Sequence, residues 1–409
     1  MKSETDDSSK KTLSRLEATA IWRQFLAQSS WLDSGTIAEM AVIEARGRVT
    51  AEAVHAARSV PHYIAAAMDG FALHSKDTLA ARNDKSRILK VLPAGHVLIP
   101  GSAVVVDTGD ALPTGADSVV KNEQVVRADH QIEIVTKVIP GQHVRKIGED
   151  IMWGDTVIAA GHCVGPADIA ACLASGNDRI KVMAKPRVAV IPTGNEIVDS
   201  AAELPPGSIR DINSHMLAAV FDSWGAIVNR SPVIPDDPER LRIAVAGAIA
   251  VNDLVVIIAG TSGGTEDYSK AALSELGRIC CHGVAIRPGH PVILAIVSGK
   301  PVIGLPGYPV SCMLTSELFL QDLLHEFQRK TPPKRTTIRA RLIRTVESRL
   351  EVEEFVRVIV KQEALNAIAV PLARGASLIS TLTQSDGLLR IGPELAVLNS
   401  GEWVEVELF

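Results

Sequence analysis

The residues best suited to chemistry lie in the stretch 253–270, which reads DLVVIIAGTSGGTEDYSK. Its apolar run, 254–259, predicts a strand buried on both faces of a parallel sheet. The loop that follows combines glycines, which allow positive φ and close backbone approach, with hydroxyl donors: Gly260, Thr261, Ser262, Gly263, Gly264 and Thr265. Asp267 then stands near a predicted helix start, where a carboxylate is favoured and is able to hold a divalent cation. The stretch indicates an anion-and-metal site, with a plain glycine turn before a helix acid as the alternative.

Two further loops follow predicted strands in the same way. The strand predicted at 187–191 runs into a loop that contains Glu196. The strand predicted at 301–303 runs into a proline-glycine loop at 304–311. Because the carboxyl ends of parallel strands meet at one edge of a sheet, the three loops are expected to converge on one crevice.

Composition sets the outer bounds of the fold and of the partners. A chain of 409 residues is too long for one ordinary core and predicts two to four domains. With 46% hydrophobic and 22% charged residues, it is typical of a soluble globular protein. A net charge of −5 gives no general attraction to nucleic acid or to an anionic membrane. No apolar run reaches the roughly 18 residues that a membrane span requires. Neither nucleic acid nor a membrane is therefore expected as a partner.

Cysteine usage and the N-terminus predict a cytoplasmic protein. The five cysteines are odd in number and have no C-x-x-C spacing, which argues against a disulfide framework and a zinc site. They are typical of reduced thiols in the cytosol. The N-terminal sequence MKSETDDSSKK is polar and lacks an apolar export segment.

The order of elements predicts a helical part split by a β-rich insert. Helices are expected at 12–28 and 37–46, and a third begins at Pro166 and ends before Gly176. Between 49 and 140, short β-prone runs are broken by Gly and Pro, as in a small β domain.

The second half of the chain predicts two more domains. From Pro186 onward strands alternate with helices that begin near Ser214, Pro238, Asp267 and Val310, which is typical of a three-layer α/β domain. After Pro333 the pattern returns to β runs and predicts a C-terminal β domain. The predicted division is 11–48 with 141–184 for the split helical domain, 49–140 for the insert, 185–330 for the α/β domain and 334–409 for the C-terminal domain.

Taken together, these stretches resemble the molybdopterin molybdenumtransferase (MoeA) family, which includes the E domain of gephyrin. The matching segments occur in the family's order from about residue 12 to the C-terminus, so the resemblance covers nearly the whole chain. They are AMDGFA at 67–72, TG at 108–109, LP at 112–113 with DSVV at 117–120, GEDI at 148–151, TGNE at 193–196, RD at 210–211 with NS at 213–214, the loop and helix start at 260–268, RPGHP at 287–291 and GLPGYPVS at 304–311.

The resemblance implies an architecture and a reaction. The subunit would consist of a split helical domain, a β insert, a molybdopterin-binding α/β domain and a C-terminal β-barrel, paired as a homodimer with an active site shared between subunits. The family inserts molybdate into adenylylated molybdopterin with Mg²⁺-dependent hydrolysis of the adenylate, which releases molybdenum cofactor and AMP. An upstream molybdopterin adenylyltransferase and molybdoenzyme acceptors are the implied partners.

The resemblance also assigns roles to individual residues. The implied catalytic acids are Asp69, Asp150, Glu196 and Asp267. The implied metal ligands are Glu196, Asp237 and Asp267. The implied molybdopterin-binding residues are Thr108, Thr193, Gly194, Gly260, Thr261, Ser262, Gly263, Gly264, Lys270, Pro306, Gly307 and Ser311. The implied molybdate-binding residues are Arg287, His290, Arg357 and Ser380.

Several of these assignments have ordinary structural alternatives. Asp237 precedes Pro238 and is typical of a helix N-cap. Asp69 precedes Gly70, a common turn pair, and Asp150 also suits an ordinary surface position.

Two positions depart from the family's pattern. His290 stands where lysine is usual, and histidine is only partly protonated at neutral pH, so molybdate affinity would weaken as the pH rises. Tyr308 stands where asparagine is usual, which replaces an amide by a phenol in the 304–311 loop.

Two other functions share the fold. One is a binding or scaffold role, as in gephyrin, where the same domain holds receptor tails. The other is a tungstate-inserting homologue or a molybdopterin-binding sensor.

Overall fold

The computed structural model describes residues 12–81, 85–199, 203–259, 265–363 and 366–409, without the side chains of residues 265–267 and 363. These residues form two compact units. One is Ile37–Val182, and the other joins Met183–Phe409 to the N-terminal residues up to Thr36.

The unit Ile37–Val182 contains the predicted β-rich insert. Its main sheet has six described strands, in the spatial order Ser118–Lys121, Gly70–Leu73, Ser102–Val106, Arg87–Leu92, Gln131–Ile134 and Val125–Ala128. Five of them coincide with the β-prone runs of the sequence. Shorter ladders pair Val54–His55 with Thr156–Ile158, and Ala65–Ala66 with Val144–Arg145.

Outside the insert, one of the helices predicted for this unit is confirmed, and the prediction of another is wrong. The helix Pro166–Ala174 begins with proline, and Gly176 follows it at φ +84°, as the sequence predicts. The helix expected at 37–46 is instead a strand, Ile37–Ala41, followed by a 3₁₀ turn, Val42–Glu44. The strand pairs with Arg179–Met183, so backbone pairing with a distant segment overrides the local helical pattern.

The second unit is built on a six-stranded mixed sheet, and this confirms the three-layer α/β fold. The strands lie in the order Ile227–Arg230, Arg187–Pro192, Leu254–Ala259, Lys300–Pro306, Ile293–Val297 and Gly277–His282. The first four are parallel and the last two antiparallel.

Helices cover both faces of this sheet because its central strands are apolar on both sides. Val188 and Val190 pack in one core with the helices Asn213–Ser223 and Pro309–Phe327. Ala189 and Ile191 pack in the other core, with the helices Pro238–Val251 and Thr265–Leu276. This is the pattern expected of buried parallel strands.

The N-terminal helix, Arg15–Gln28, packs on the same sheet. A capping box between Ser14 and Glu17 starts it. The buried Trp22 donates its indole N–H to the carbonyl of Ala295 at 2.9 Å. This helix therefore lies in the same compact unit as the α/β domain, whereas the sequence groups it with 141–184; the exact domain bounds stay a prediction.

The C-terminal region is a closed five-stranded β-barrel. Its strands are Thr337–Leu342, Glu353–Glu363, Asn366–Pro371, Gly387–Ile391 and Trp403–Leu408. The strand Gly387–Ile391, which the sequence does not single out, closes the barrel by pairing with both Glu353–Glu363 and Trp403–Leu408. No helix in the described part of the chain has the length and apolarity that a membrane span requires.

A buried carboxylate joins the N-terminal helix to the barrel. Glu353 accepts hydrogen bonds from Arg15 at 2.7 and 3.1 Å and from Arg390, and its side chain is only 8% exposed. Burial alone would raise the pKa of Glu353, but the hydrogen bonds and charges of the two arginines outweigh burial and lower it.

Replacing this carboxylate is expected to reduce stability in a pH-dependent way. Glu353→Gln should lower the free energy of unfolding by about 3 kcal/mol at pH 7, because it removes one partner of a buried ion pair. Because the folded pKa is depressed, the stabilisation is complete above the unfolded value of about 4.3 and is lost as the pH falls through the folded value. Urea unfolding at several pH values would measure this. The exposed Glu405→Gln is the control, and a Glu353→Gln deficit that does not shrink in acid would contradict the assignment.

Candidate active site

The predicted convergence of three strand ends is present. Arg187–Pro192 pairs in parallel with Leu254–Ala259, and Leu254–Ala259 pairs in parallel with Lys300–Pro306. The register places Pro192 opposite Ile258, and Ala259 opposite Pro306. All three strands therefore end at the same edge of the sheet.

A cavity of about 440 Å³ lies at this edge. Its wall is mostly apolar and includes Ile197, Ile209, Ile212, Ile258 and Ile379. The polar and loop residues of the wall are Thr193, Glu196, Arg210, Asp211, Asn213, Gly307, Tyr308 and Ser377. The size and the small number of polar groups are typical of small-molecule sites.

The loop after the first strand is fixed by its neighbours. The N–H and Oγ1 of Thr193 both donate to the carbonyl of Ile258 at 3.0 Å. Gly194 donates its N–H to Ile234 and has φ +139°, in the left-handed half of conformational space. Glu196 is half-buried and lies over Gly194, with Oε2 3.0 Å from the position a Cβ would take there.

A side chain at Gly194 is therefore expected to disturb Glu196. In Gly194→Ala the new Cβ would lie 2.8 Å from Cγ1 of Ile197 and 3.0 Å from Oε2 of Glu196. Relief of this crowding, at a strained φ, costs about 1–3 kcal/mol. We expect a roughly tenfold lower turnover, since about 1.4 kcal/mol corresponds to tenfold. Steady-state kinetics would test this with Gly207→Ala, which also has positive φ but open space around it, as control; equal turnover in both variants would contradict the role.

Sequence reasoning assigned no role to the buried network beneath the cavity. Asp211 is 5% exposed and accepts from the backbone N–H of Ser214 at 3.0 Å and from its hydroxyl. Arg230 donates from Nε to the Ser214 hydroxyl at 2.8 Å. This network fixes the start of the helix Asn213–Ser223; the RD and NS motifs at 210–214 were its only sequence signal.

Asn213 joins this helix start to the proline-glycine loop. Its Nδ2 donates to the carbonyl of Gly307 at 2.6 Å, and the residue is 9% exposed. Its Oδ1 is buried and has no hydrogen-bond partner among the residues that the structure describes. Such an atom in a native protein calls for an explanation.

Asp237 has the N-cap geometry that the sequence offered as an alternative. Its Oδ1 accepts the N–H groups of Glu239 and Arg240 at 2.9 Å, at the start of Pro238–Val251. The neighbouring Asp236 exchanges hydrogen bonds of 3.2 Å with Asn195. The loop that carries Glu196 is thereby held beside this helix start.

The four predicted molybdate ligands do not share one cavity. Arg357 is 4% exposed, and it donates from Nε to Thr381 Oγ1 at 2.7 Å and from Nη2 to the carbonyls of Ala373 and Gly375 at 3.0 and 3.3 Å. Burial lowers its pKa. Ser380, which precedes Thr381, is exposed, so these two predicted ligands are neighbours.

The other two predicted molybdate ligands lie at exposed positions. Arg287 ends a short strand that pairs with Glu353–Glu363. His290 donates a hydrogen bond from Nδ1 to the carbonyl of Val284 at 2.7 Å. It lines a separate cavity of about 560 Å³ with Glu17, Glu351 and Glu394. Carboxylates do not favour an oxyanion, so the molybdate role of His290 stays a prediction without support from its neighbours.

The predicted site residues of the insert form one local pair. Both the N–H and the hydroxyl of Thr108 donate to Asp69 Oδ1 at 2.7 Å. These hydrogen bonds lower the pKa of Asp69, which is exposed. Asp150 is exposed in another loop of the same unit.

The remaining predicted residues are placed only in part. Gly260, Thr261, Ser262, Gly263 and Gly264 lie outside the described residues, and so does the side chain of Asp267. Asp267 itself falls in the first turn of Thr265–Leu276, and Lys270 is exposed on that helix. Pro306 ends its strand, and the buried Ser311 lies in the first turn of Pro309–Phe327.

The residues present suit a magnesium ion only together with a substrate. Among the described side chains, no group of three or more His, Cys, Asp or Glu residues is placed to hold a metal. Mg²⁺ is commonly bound by one or two carboxylates with substrate phosphates and water. Glu196, which lines the cavity, supplies one such carboxylate.

Known proteins match this chain over most of its length. Residues 13–176 match the MoeA N-terminal region (domain I and II), 189–326 the probable molybdopterin binding domain, and 339–409 the MoeA C-terminal region (domain IV). A putative molybdopterin biosynthesis protein of Methanocaldococcus jannaschii is 33% identical over 389 residues, 93% of this chain and 94% of that protein. Molybdopterin molybdenumtransferase 2 of Mycobacterium tuberculosis is 32% identical over 377 residues, 89% of this chain and 93% of that protein.

A solved structure gives the same match. A molybdopterin biosynthesis MoeA protein from Pyrococcus horikoshii is 34% identical, with a TM-score of 0.80 over 97% of this chain and 99% of that one. The chain belongs to the MoeA family. The 440 Å³ cavity lies within the part of the MoeA chain that matches the molybdopterin binding domain, apart from Ser377 and Ile379 of the C-terminal region.

Proposed function

We propose that this chain completes molybdenum cofactor biosynthesis by inserting molybdate into adenylylated molybdopterin, with release of AMP. The observation that carries the proposal is the cavity at the carboxyl edge of the sheet. Most of its lining residues lie in the segment that matches a probable molybdopterin binding domain, and the chain as a whole matches a molybdopterin molybdenumtransferase over 89% of its length. Curated relatives of nearly the same length carry the name molybdopterin molybdenumtransferase.

In this proposal, Glu196 and Asp267 hold a magnesium ion beside the substrate. An ion held by these residues would supply positive charge to offset the diphosphate of the adenylate, which would favour its hydrolysis. Asp237 commits Oδ1 to the helix cap, which leaves Glu196 and Asp267 as the leading carboxylates. Thr193 and Gly307 shape the wall that holds the pterin.

The proposal includes a homodimer. Asp69 and Thr108, which are hydrogen-bonded to each other, would complete the site of the partner subunit. We also propose a cytoplasmic location, on the basis of the sequence. The family resemblance supports two kinds of partner, an upstream molybdopterin adenylyltransferase and molybdoenzyme acceptors.

An assay with purified protein tests this function. Adenylylated molybdopterin, molybdate and Mg²⁺ are mixed with the protein, and AMP and molybdenum cofactor are quantified against reactions that lack molybdate, contain a chelator or contain tungstate instead. AMP release that needs both molybdate and Mg²⁺ supports the proposal. Binding of the pterin without AMP above background would favour a sensor, and faster turnover with tungstate would favour a tungsten-inserting enzyme.

A further inference from the structure

One side of the cavity wall, at the start of the helix Asn213–Ser223, offers a buried hydrogen-bond acceptor. Asn213 is fixed in orientation because its Nδ2 donates to the carbonyl of Gly307 at 2.6 Å. Its other amide atom, Oδ1, is therefore an acceptor. This atom is buried, in a residue that is 9% exposed, and no group in the described part of the chain donates to it. A buried acceptor left unpaired is unfavourable, so a ligand that donates to it gains affinity.

The neighbouring polar groups agree with this polarity. The Asp211 carboxylate is occupied by Ser214, which donates to it from both its N–H and its hydroxyl. Glu196 adds a second carboxylate to the wall, and Arg210 is the cation among the described lining residues. Without a bound cation, an oxyanion such as molybdate or phosphate would be repelled by these oxygen atoms. A ligand with N–H groups would instead donate hydrogen bonds to them.

The apolar walls restrict the ligand further. Five isoleucines and two prolines are among the sixteen residues that line the cavity, and their apolar surfaces suit the faces of a flat heteroaromatic ring. An adenylylated molybdopterin contains two flat heteroaromatic rings, adenine and the pyrimidine ring of the pterin. The 2-amino-4-oxopyrimidine edge of the pterin presents two adjacent N–H donors, the 2-amino group and N3–H, whereas the 6-amino group of adenine stands between ring nitrogens that only accept.

We propose that Asn213 is a specificity-determining residue that reads the pyrimidine edge of the pterin, with its Oδ1 accepting a hydrogen bond from the 2-amino group. This inference rests on the proposed function for the identity of the ring, and it adds the orientation of that ring. The pyrimidine edge lies against the start of the helix Asn213–Ser223, which is held in place by Asp211, Ser214 and Arg230.

A matched pair of ligands tests this contact. 6-Hydroxymethylpterin has the 2-amino donor, whereas 6-hydroxymethyllumazine carries a carbonyl oxygen at position 2. Fluorescence titration should give at least tenfold tighter binding of the pterin to the unaltered protein, since a site built for a donor rejects an analogue that lacks it. Equal affinity for the two ligands would overturn the inference without any variant.

Variants at the same position separate recognition from positioning. Asn213→Ala should reduce the pterin-to-lumazine preference to about twofold or less. Asn213→Asp cannot donate to Gly307 but keeps an acceptor, so it should retain the preference even if both affinities fall. Loss of affinity by the same factor for both ligands in Asn213→Ala would show a purely positioning residue and overturn the proposal.

The AMP assay on the same protein keeps the two proposals apart. An unaltered protein that prefers the pterin but releases no AMP supports the recognition by Asn213 and contradicts the transferase reaction. A protein that releases AMP but binds both ligands equally overturns only the recognition.

Discussion

Glu196→Gln is expected to lower molybdate-dependent AMP release about 100-fold, because loss of a metal-binding carboxylate removes roughly 3 kcal/mol of charge stabilisation. The substitution keeps the size of the side chain, which lies over Gly194 and lines the 440 Å³ cavity. Only the negative charge is removed. The Mg²⁺ concentration for half-maximal turnover should rise as well.

A nearby acid serves as the control for this prediction. Glu203 is exposed and does not line the cavity, so Glu203→Gln should leave both turnover and the Mg²⁺ requirement within about twofold, as surface substitutions usually do. If Glu196→Gln behaves like this control, Glu196 is not a ligand of the ion.

Arg357→Lys is expected to reduce turnover about 100-fold even though it keeps a positive charge, since displacement of a site loop by about 1 Å has effects of that size. The guanidinium holds the carbonyls of Ala373 and Gly375 and the hydroxyl of Thr381. The loop between them carries Ser377 and Ile379 to the cavity wall. A lysine ammonium cannot reproduce this planar fork.

This substitution distinguishes two roles of Arg357. If the residue acts mainly as a charge on molybdate, the lysine variant should stay near full activity. If it holds the loop, the free energy of unfolding should also fall by about 2–3 kcal/mol, because buried carbonyl groups lose their donors. Thermal unfolding and the AMP assay measure both effects, with the exposed Arg349→Lys as control.

Local patterns predicted most of the architecture because each depends on nearby residues. The apolar runs at 187–191 and 254–259 marked strands that the structure places side by side in parallel. Pro166 and Gly176 marked the two ends of a helix through their φ preferences. Such signals failed where a distant partner decided the outcome, as in the strand Ile37–Ala41, which pairs with Arg179–Met183.

The order of the chain also predicted which loops meet. Since parallel strands share a carboxyl edge, Glu196 and Gly307 were expected together, and both line the same cavity. The family resemblance added residue roles that the motifs alone do not carry. It made Asp69 a catalytic acid and Thr108 a molybdopterin-binding residue; the two are hydrogen-bonded to each other, and their roles stay a prediction.

The sequence by itself determined the fold class, the strand ends and the residues that are candidates for chemistry, because these follow from periodicity, turn residues and motif order. Only the tertiary structure decided which side chains are free to act. Asp237 commits Oδ1 to a helix cap and Arg357 commits Nε and Nη2 to a loop, whereas Asn213 keeps a buried acceptor with no partner among the described residues. Hydrogen-bond partners come from residues far apart in the chain, so no local pattern reveals which groups remain available to a ligand.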